Sequence, residues 1–139
     1  MEHKQMTASG GTVHYWVDRA GMNSDCIVFT HGVTADHTMF EKQVRFFSGK
    51  YTLIFWDVPL HGLSRPYHGF SYRDTADILY SILRKEKIEK AVLVGMSMGG
   101  YPSQHFGALY PEMVSGFVAL DTTPLGVRYY SKSDLWWLR

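Results

Sequence analysis

The stretch Ala91-Val92-Leu93-Val94-Gly95-Met96-Ser97-Met98-Gly99-Gly100 constrains the chain more than any other. Its compact apolar run predicts a strand buried on both faces, and the residues after Gly99 read as a helix. Between the two, a serine is flanked by glycines two positions away on either side. A serine held at a sharp strand-to-helix turn sits in strained backbone, and side chains at those two positions would collide. Gly95 and Gly99 remove the collisions, and Gly100 adds slack. The turn lifts the Ser97 hydroxyl above the sheet edge. It also aims the N–H of Met98, at the start of the new helix, where a negative oxygen can sit. The competing reading, a glycine-rich loop with an idle serine, leaves the strand before it and the helix after it without a purpose.

The rest of the chain repeats this alternation. Glu2 to Ser9 is expected as a first strand, and Gly10-Gly11 as a turn. Thr12 to Val17 alternates, with Val13, Tyr15 and Val17 on one side, and reads as a strand with one wetter face. Cys26-Ile27-Val28-Phe29 and Leu53-Ile54-Phe55-Trp56 are buried strands. Thr38 to Phe47 has apolar residues at helical spacing and should stop at Gly49. Ser71-Tyr72-Arg73-Asp74 is a capping box with aspartate in the acidic position, opening a helix to about Lys87. Pro102 suits the first turn of the helix from Gly99, and Pro111 ends it. Val114 to Leu120 is the last expected strand.

Strands alternating with helices predict an α/β domain: a mostly parallel, twisted sheet with helices on both faces. The strand before Ser97 is expected near its middle. Reactive groups in such sheets gather at the carboxyl ends of the strands. His31, Asp57, Ser97 and Asp121 each follow a strand directly and therefore share one rim.

Composition excludes several classes. The 139 residues fit one domain, and 45% apolar content supplies a core. A net charge of +1, with acids and bases mixed, gives no case for nucleic acid or an anionic membrane. Cys26 is the single cysteine, so no internal disulfide forms and a reducing, cytoplasmic compartment is expected. The polar start Met1-Glu2-His3-Lys4-Gln5 does not read as a signal peptide. Metal binding by His31, His37 and His61 is not expected, because no close paired-ligand motif is present.

Four features in order resemble the α/β-hydrolase superfamily, most closely its single-domain esterase and C–C-hydrolase type. They are His31-Gly32 after the third strand, the Asp57…His61-Gly62-Leu63-Ser64 loop after the fourth, Gly95-Met96-Ser97-Met98-Gly99-Gly100, and Tyr110-Pro111-Glu112 before the sixth strand. The resemblance covers nearly the whole chain. It implies that Ser97 is a nucleophile and that the N–H groups of Val33 and Met98 form an oxyanion hole, with Gly32 letting the backbone approach. It implies that Asp57 and His61 shape a loop beside the site. The substrate it implies is a small ester or related acyl compound. C–C hydrolase, thioesterase and perhydrolase variants stay open, and no cofactor is implied.

Members of that superfamily continue through two further strands, which bring a triad acid and a histidine, and many carry a helical lid. Residues 1–125 then correspond to the N-terminal part of such a core, and 126–139 to the start of a lid-like segment. The triad histidine is expected outside this chain, because none of the seven histidines stands in its place. His31 is expected to bond backbone, and His105 to pack or face solvent. Asp121 follows the sixth strand, where some members place the triad acid; a loop-bonding role is the alternative. Trp136 and Trp137 would line a pocket or belong to further core. A second reading of the whole chain is an inactive binding half-domain whose exposed sixth strand recruits a second chain or another copy of itself.

Overall fold

The direction in which the chain crosses its sheet decides which face each helix covers. The computed structural model describes residues 1–21 and 24–125. Its strands are β1 (Glu2–Ala8), β2 (Gly11–Asp18), β3 (Cys26–Thr30), β4 (Thr52–Trp56), β5 (Ala91–Met96) and β6 (Val114–Leu120). Its helices are α1 (Glu41–Phe47), α2 (Tyr72–Lys85) and α3 (Gly100–Leu109). The sheet order is β1-β2-β4-β3-β5-β6. β1 and β2 form an antiparallel hairpin, β2 runs antiparallel to β4, and β4, β3, β5 and β6 are mutually parallel.

From β3 the chain crosses through α1 to β4. It then returns over β3 through α2 to β5, and continues the same way through α3 to β6. Right-handed crossovers that travel in opposite directions put their helices on opposite faces. Accordingly Phe40, Val44 and Phe47 pack on Ile27, Phe29, Leu53 and Phe55 of one face. Ala76, Leu79, Ile82, Leu83 and Phe106 pack on Val28, Ile54 and Leu93 of the other. β3 and β4 are buried at every position, which is why their sequences are continuous apolar runs. Each large aliphatic side chain so buried contributes about 1.5–3 kcal/mol.

Three local details differ from the sequence reading. β5 is next to last among the described strands, because β1 and β2 extend the sheet on the far side of β4. The helix expected from Thr38 begins as a 3-10 turn at His37–Phe40, since the Asp36 carboxylate accepts from the Thr38 N–H and sets the start. At Ser71 the hydroxyl accepts from the Asp74 N–H at 3.1 Å and donates to the Asp74 carboxylate at 2.7 Å. Aspartate is one methylene shorter than the usual glutamate, so it meets the serine side chain in place of its backbone N–H. Among the described residues no helix is long and apolar enough to cross a membrane. The lid-like stretch 126–139, with Trp136 and Trp137, lies outside the described residues.

A buried acid holds the hairpin to α2. Glu86, just past the helix, accepts from Tyr15 Oη at 2.7 Å and from Lys4 Nζ at 2.9 Å, and pairs with Arg19. Burial pushes its pKa up, but the bonds from Tyr15 and Lys4 and the charges of Lys4 and Arg19 prevail, so the carboxyl titrates below its ordinary value. A depressed carboxyl pKa gives stability that is complete above the unfolded value, near about 4.3, and lost as pH falls through the folded one. Glu86→Gln is therefore expected to cost about 2–4 kcal/mol at pH 7. Urea unfolding at pH 7 and pH 3 checks this: the gap between the two proteins narrows at the lower pH.

Candidate active site

The crossover reversal opens a crevice. The chain leaves β3 toward one face and β5 toward the other, so nothing crosses between their carboxyl ends. In open α/β sheets this is where ligands sit. Gly32 and Val33 border the crevice on the β3 side, and Ser97 and Met98 on the β5 side.

Ser97 has φ +49, a left-handed conformation for a non-glycine residue, and begins a 3-10 turn (Ser97–Gly99) that leads into α3. Such backbone costs about 1–3 kcal/mol and persists only where the surroundings force it. The surroundings are backbone. A Cβ on Gly99 would stand 2.2 Å from the Thr30 carbonyl oxygen and 2.5 Å from that of His31. One on Gly95 would stand 2.7 Å from the Gly99 oxygen and from Gly100 Cα. The start of α3 therefore lies flush on the end of β3, which places a Cβ built on Gly32 only 3.5 Å from Ser97 Cβ. Gly100 does more than add slack: its missing Cβ leaves room for the Thr122 side chain, 2.2 Å away.

Two polar clasps hold the β3 side. His31 is buried, and burial pushes its pKa down despite the bond to Gly32. The neutral ring donates from Nδ1 to the Gly32 carbonyl at 2.7 Å and accepts the Val58 N–H on Nε2 at 3.0 Å. That pattern fixes its tautomer and leaves neither nitrogen for proton transfer. Buried Asp57 accepts from the His37 backbone N–H and from His37 Nδ1, both at 2.9 Å, and from the Leu63 N–H at 2.7 Å. It thus ties the loop after β3 to the loop after β4. Gly62 at φ +47 passes so close that a Cβ would meet Asp57 Oδ2 at 2.1 Å. The His37 ring stacks on Trp16 with centroids 3.4 Å apart, and His3 covers the other face of the indole at 4.7 Å.

The remaining candidates stand in different places. His37 and Asp57 have the bonding of an acid–base pair, but the His37 ring lies over Trp16 of β2, three strands from β5. At about 4.8 Å per strand, that ring is far beyond contact with Ser97. His61 bonds the Pro59 carbonyl and packs beside His31 with centroids 5.1 Å apart, while His3 bonds His14. His105 lines the groove between α3 and β6, and His68 is exposed on a loop. Asp121 lies exposed at the end of β6 with φ +46. The ligand atoms of Asp36, His37 and Asp57 lie within 4.8 Å of one another. However, Asp36 Oδ1 is taken by Thr38 and Asp57 Oδ1 by His37, so this group reads as a hydrogen-bonded clasp.

Thr122 escaped the sequence reading. Its hydroxyl donates to the Ser97 carbonyl at 2.7 Å. A lone threonine after a strand carries no motif, and only the bare Cα of Gly100 hints that something must fit beside it.

Comparison with known proteins adds three relatives. A family model described as alpha/beta hydrolase fold matches residues 25–139. The chain is 36% identical over 99 residues to the 2-(acetamidomethylene)succinate hydrolase of Mesorhizobium japonicum, a match covering 70% of this chain and 36% of that protein. It is 35% identical over 122 residues to the AB hydrolase superfamily protein YisY of Bacillus subtilis, covering 78% of this chain and 46% of that one. Among solved structures, Est816, described as an N-acyl homoserine lactone degrading enzyme, superposes with a TM-score of 0.79 at 26% identity, over 86% of this chain and 45% of that one. The chain thus spans less than half the length of each of these three.

The packing at the turn makes a sharp contrast between two glycines. Gly99→Ala drives a methyl into the β3 carbonyls and is expected to cost at least about 3 kcal/mol or prevent folding. Gly107, in the last turn of α3 with no atom within 4 Å of a built Cβ, is expected to gain up to about 0.5–1 kcal/mol on substitution by alanine. Thermal melts of both variants check the pair.

Proposed function

The chain belongs to the alpha/beta hydrolase fold family, and from that premise we propose that it carries the nucleophile and oxyanion donors of a serine hydrolase acting on an ester or related acyl group. The observation that supports this most is Ser97 at φ +49, raised at the crevice directly across from Gly32. Ser97 Oγ attacks the acyl carbonyl carbon and gives up its proton to a histidine. The carbonyl π electrons move to oxygen, and the oxyanion accepts from the Val33 and Met98 N–H groups, each worth about 3–4 kcal/mol. The leaving group departs with the proton, and water then cleaves the acyl-enzyme by the same route.

The histidine comes from outside Met1–Arg139. In support, the imidazole His31 beside the crevice has both nitrogens bonded to backbone, and the relatives are more than twice as long as the matched stretch. Asp121, just past the strand beside β5, is a candidate acid. A carboxylic ester is the leading substrate. The relatives named for an acetamido compound and for an acyl lactone would offer the same electrophile, a carbonyl carbon bearing a nitrogen or oxygen leaving group. Val33, Leu60 and Leu63 are exposed on the two loops at this rim and suit an apolar acyl chain. The reaction so written needs no cofactor. Cys26 is buried, with its thiol pushed up to about 12 by burial, and suits a reducing, cytoplasmic compartment.

Intact-mass measurement before and after a fluorophosphonate probe tests the reading, on a polypeptide that joins this chain to the segment supplying the histidine. One adduct on the peptide holding Ser97, absent in Ser97→Ala, is the expected result. Turnover of an aryl ester is expected to fall at least about a thousandfold in that variant. A folded polypeptide that carries the histidine and takes no adduct overturns the reading and leaves the binding half-domain in its place.

A further inference from the structure

We propose that Thr122 is a positioning residue that aims the Met98 N–H at the oxyanion by gripping the opposite end of the same peptide group. The inference rests on Ser97 acting as the nucleophile. The Ser97 carbonyl and the Met98 N–H belong to one planar, trans peptide, so they point in opposite directions. Whatever fixes the carbonyl therefore fixes the donor. The carbonyl has two partners: the Gly100 N–H, within the turn, and the Thr122 hydroxyl at 2.7 Å. The first comes from the turn itself and rotates with it. The second comes from the segment after β6 and is the outside reference against which the peptide is held.

Thr122 is itself held. Its side chain fills the space beside Gly100, where any side chain would collide with it. The segment on its far side is tied down by α3. Gln104 donates from Nε2 to the Thr123 carbonyl at 2.9 Å and accepts the Leu125 N–H on Oε1 at 2.8 Å, much as a neighbouring strand would. Tyr101 Oη meets Thr123 Oγ1 at 3.0 Å. Asp121 takes φ +46 just before, so the chain turns sharply off β6 to bring Thr122 under the elbow. These contacts set the path of the chain leaving β6 and the angle of the Met98 peptide together. A shift of that path is felt first at the oxyanion donor.

Two variants and two readouts test this: amide exchange on the 139-residue chain, and labelling on a polypeptide that joins it to the segment supplying the histidine. Thr122→Val keeps the shape beside Gly100 and deletes the donor; Thr122→Ser keeps the donor. Amide hydrogen exchange followed by NMR reads the geometry without any need for catalysis. Exchange at Gly100, whose N–H bonds the same Ser97 carbonyl, is expected to rise by about tenfold in Thr122→Val and to stay within about twofold of the parent in Thr122→Ser. Fluorophosphonate labelling reads the chemistry: the limiting rate is expected to fall about tenfold in Thr122→Val, with half-saturation unchanged, and to recover in Thr122→Ser. Unchanged exchange at Gly100 in Thr122→Val overturns the proposal. So does an unchanged labelling rate, or a loss of rate that serine fails to rescue. Absence of labelling in the parent polypeptide that carries the histidine would instead count against Ser97 as nucleophile, and the exchange data alone would then decide whether Thr122 holds the peptide.

Discussion

Backbone meets backbone where α3 starts. The turn after β5 is pressed onto the last carbonyls of β3 so closely that Gly99 has no room for a methyl group. That contact forces the left-handed φ of Ser97, brings the Ser97 side chain up to Gly32, and sets where α3 begins. Hydrophobic burial on the two faces of the sheet supplies most of the stability, but it would tolerate small shifts of a strand or helix. Contact between main chains does not. The crevice inherits its geometry from an interface that leaves no room for a side chain.

Much of the fold was legible because its signals are local. The apolar runs at Cys26–Phe29, Leu53–Trp56 and Ala91–Val94 could hardly be anything but buried strands, and the serine between spaced glycines announced the turn. The helices followed from periodicity and from Ser71 and Pro111. What escaped was long-range. Nothing near Glu86 in the sequence points to Lys4, Tyr15 or Arg19, which are 67 to 82 positions away. The Thr122 bond spans 25 positions and joins residues that share no pattern. The place of β5 within the sheet depended on how many strands add at each edge, which local periodicity does not encode. The short 3-10 start before α1 reflects two carboxylates from different places each taking one N–H there, Asp57 that of His37 and Asp36 that of Thr38.

The two sides of the crevice are held by different chemistry. On the β5 side, absence of side chains does the work, through Gly95, Gly99 and Gly100. On the β3 side, buried polar groups do it, with His31 and Asp57 each bonding backbone from two loops. A glycine contact is rigid at all pH values. A clasp built on the His31 imidazole depends on that ring staying neutral, as burial favours. The same crevice thus has one wall fixed by shape and one wall fixed by buried hydrogen bonds.

The stack His3–Trp16–His37 has an optical consequence. An indole with an imidazole against each face is well placed for quenching, and one of those rings rides on the loop that bears Val33. Trp16 is therefore a fluorophore whose immediate surroundings include the loop after β3, held on the far side of β4 from the crevice.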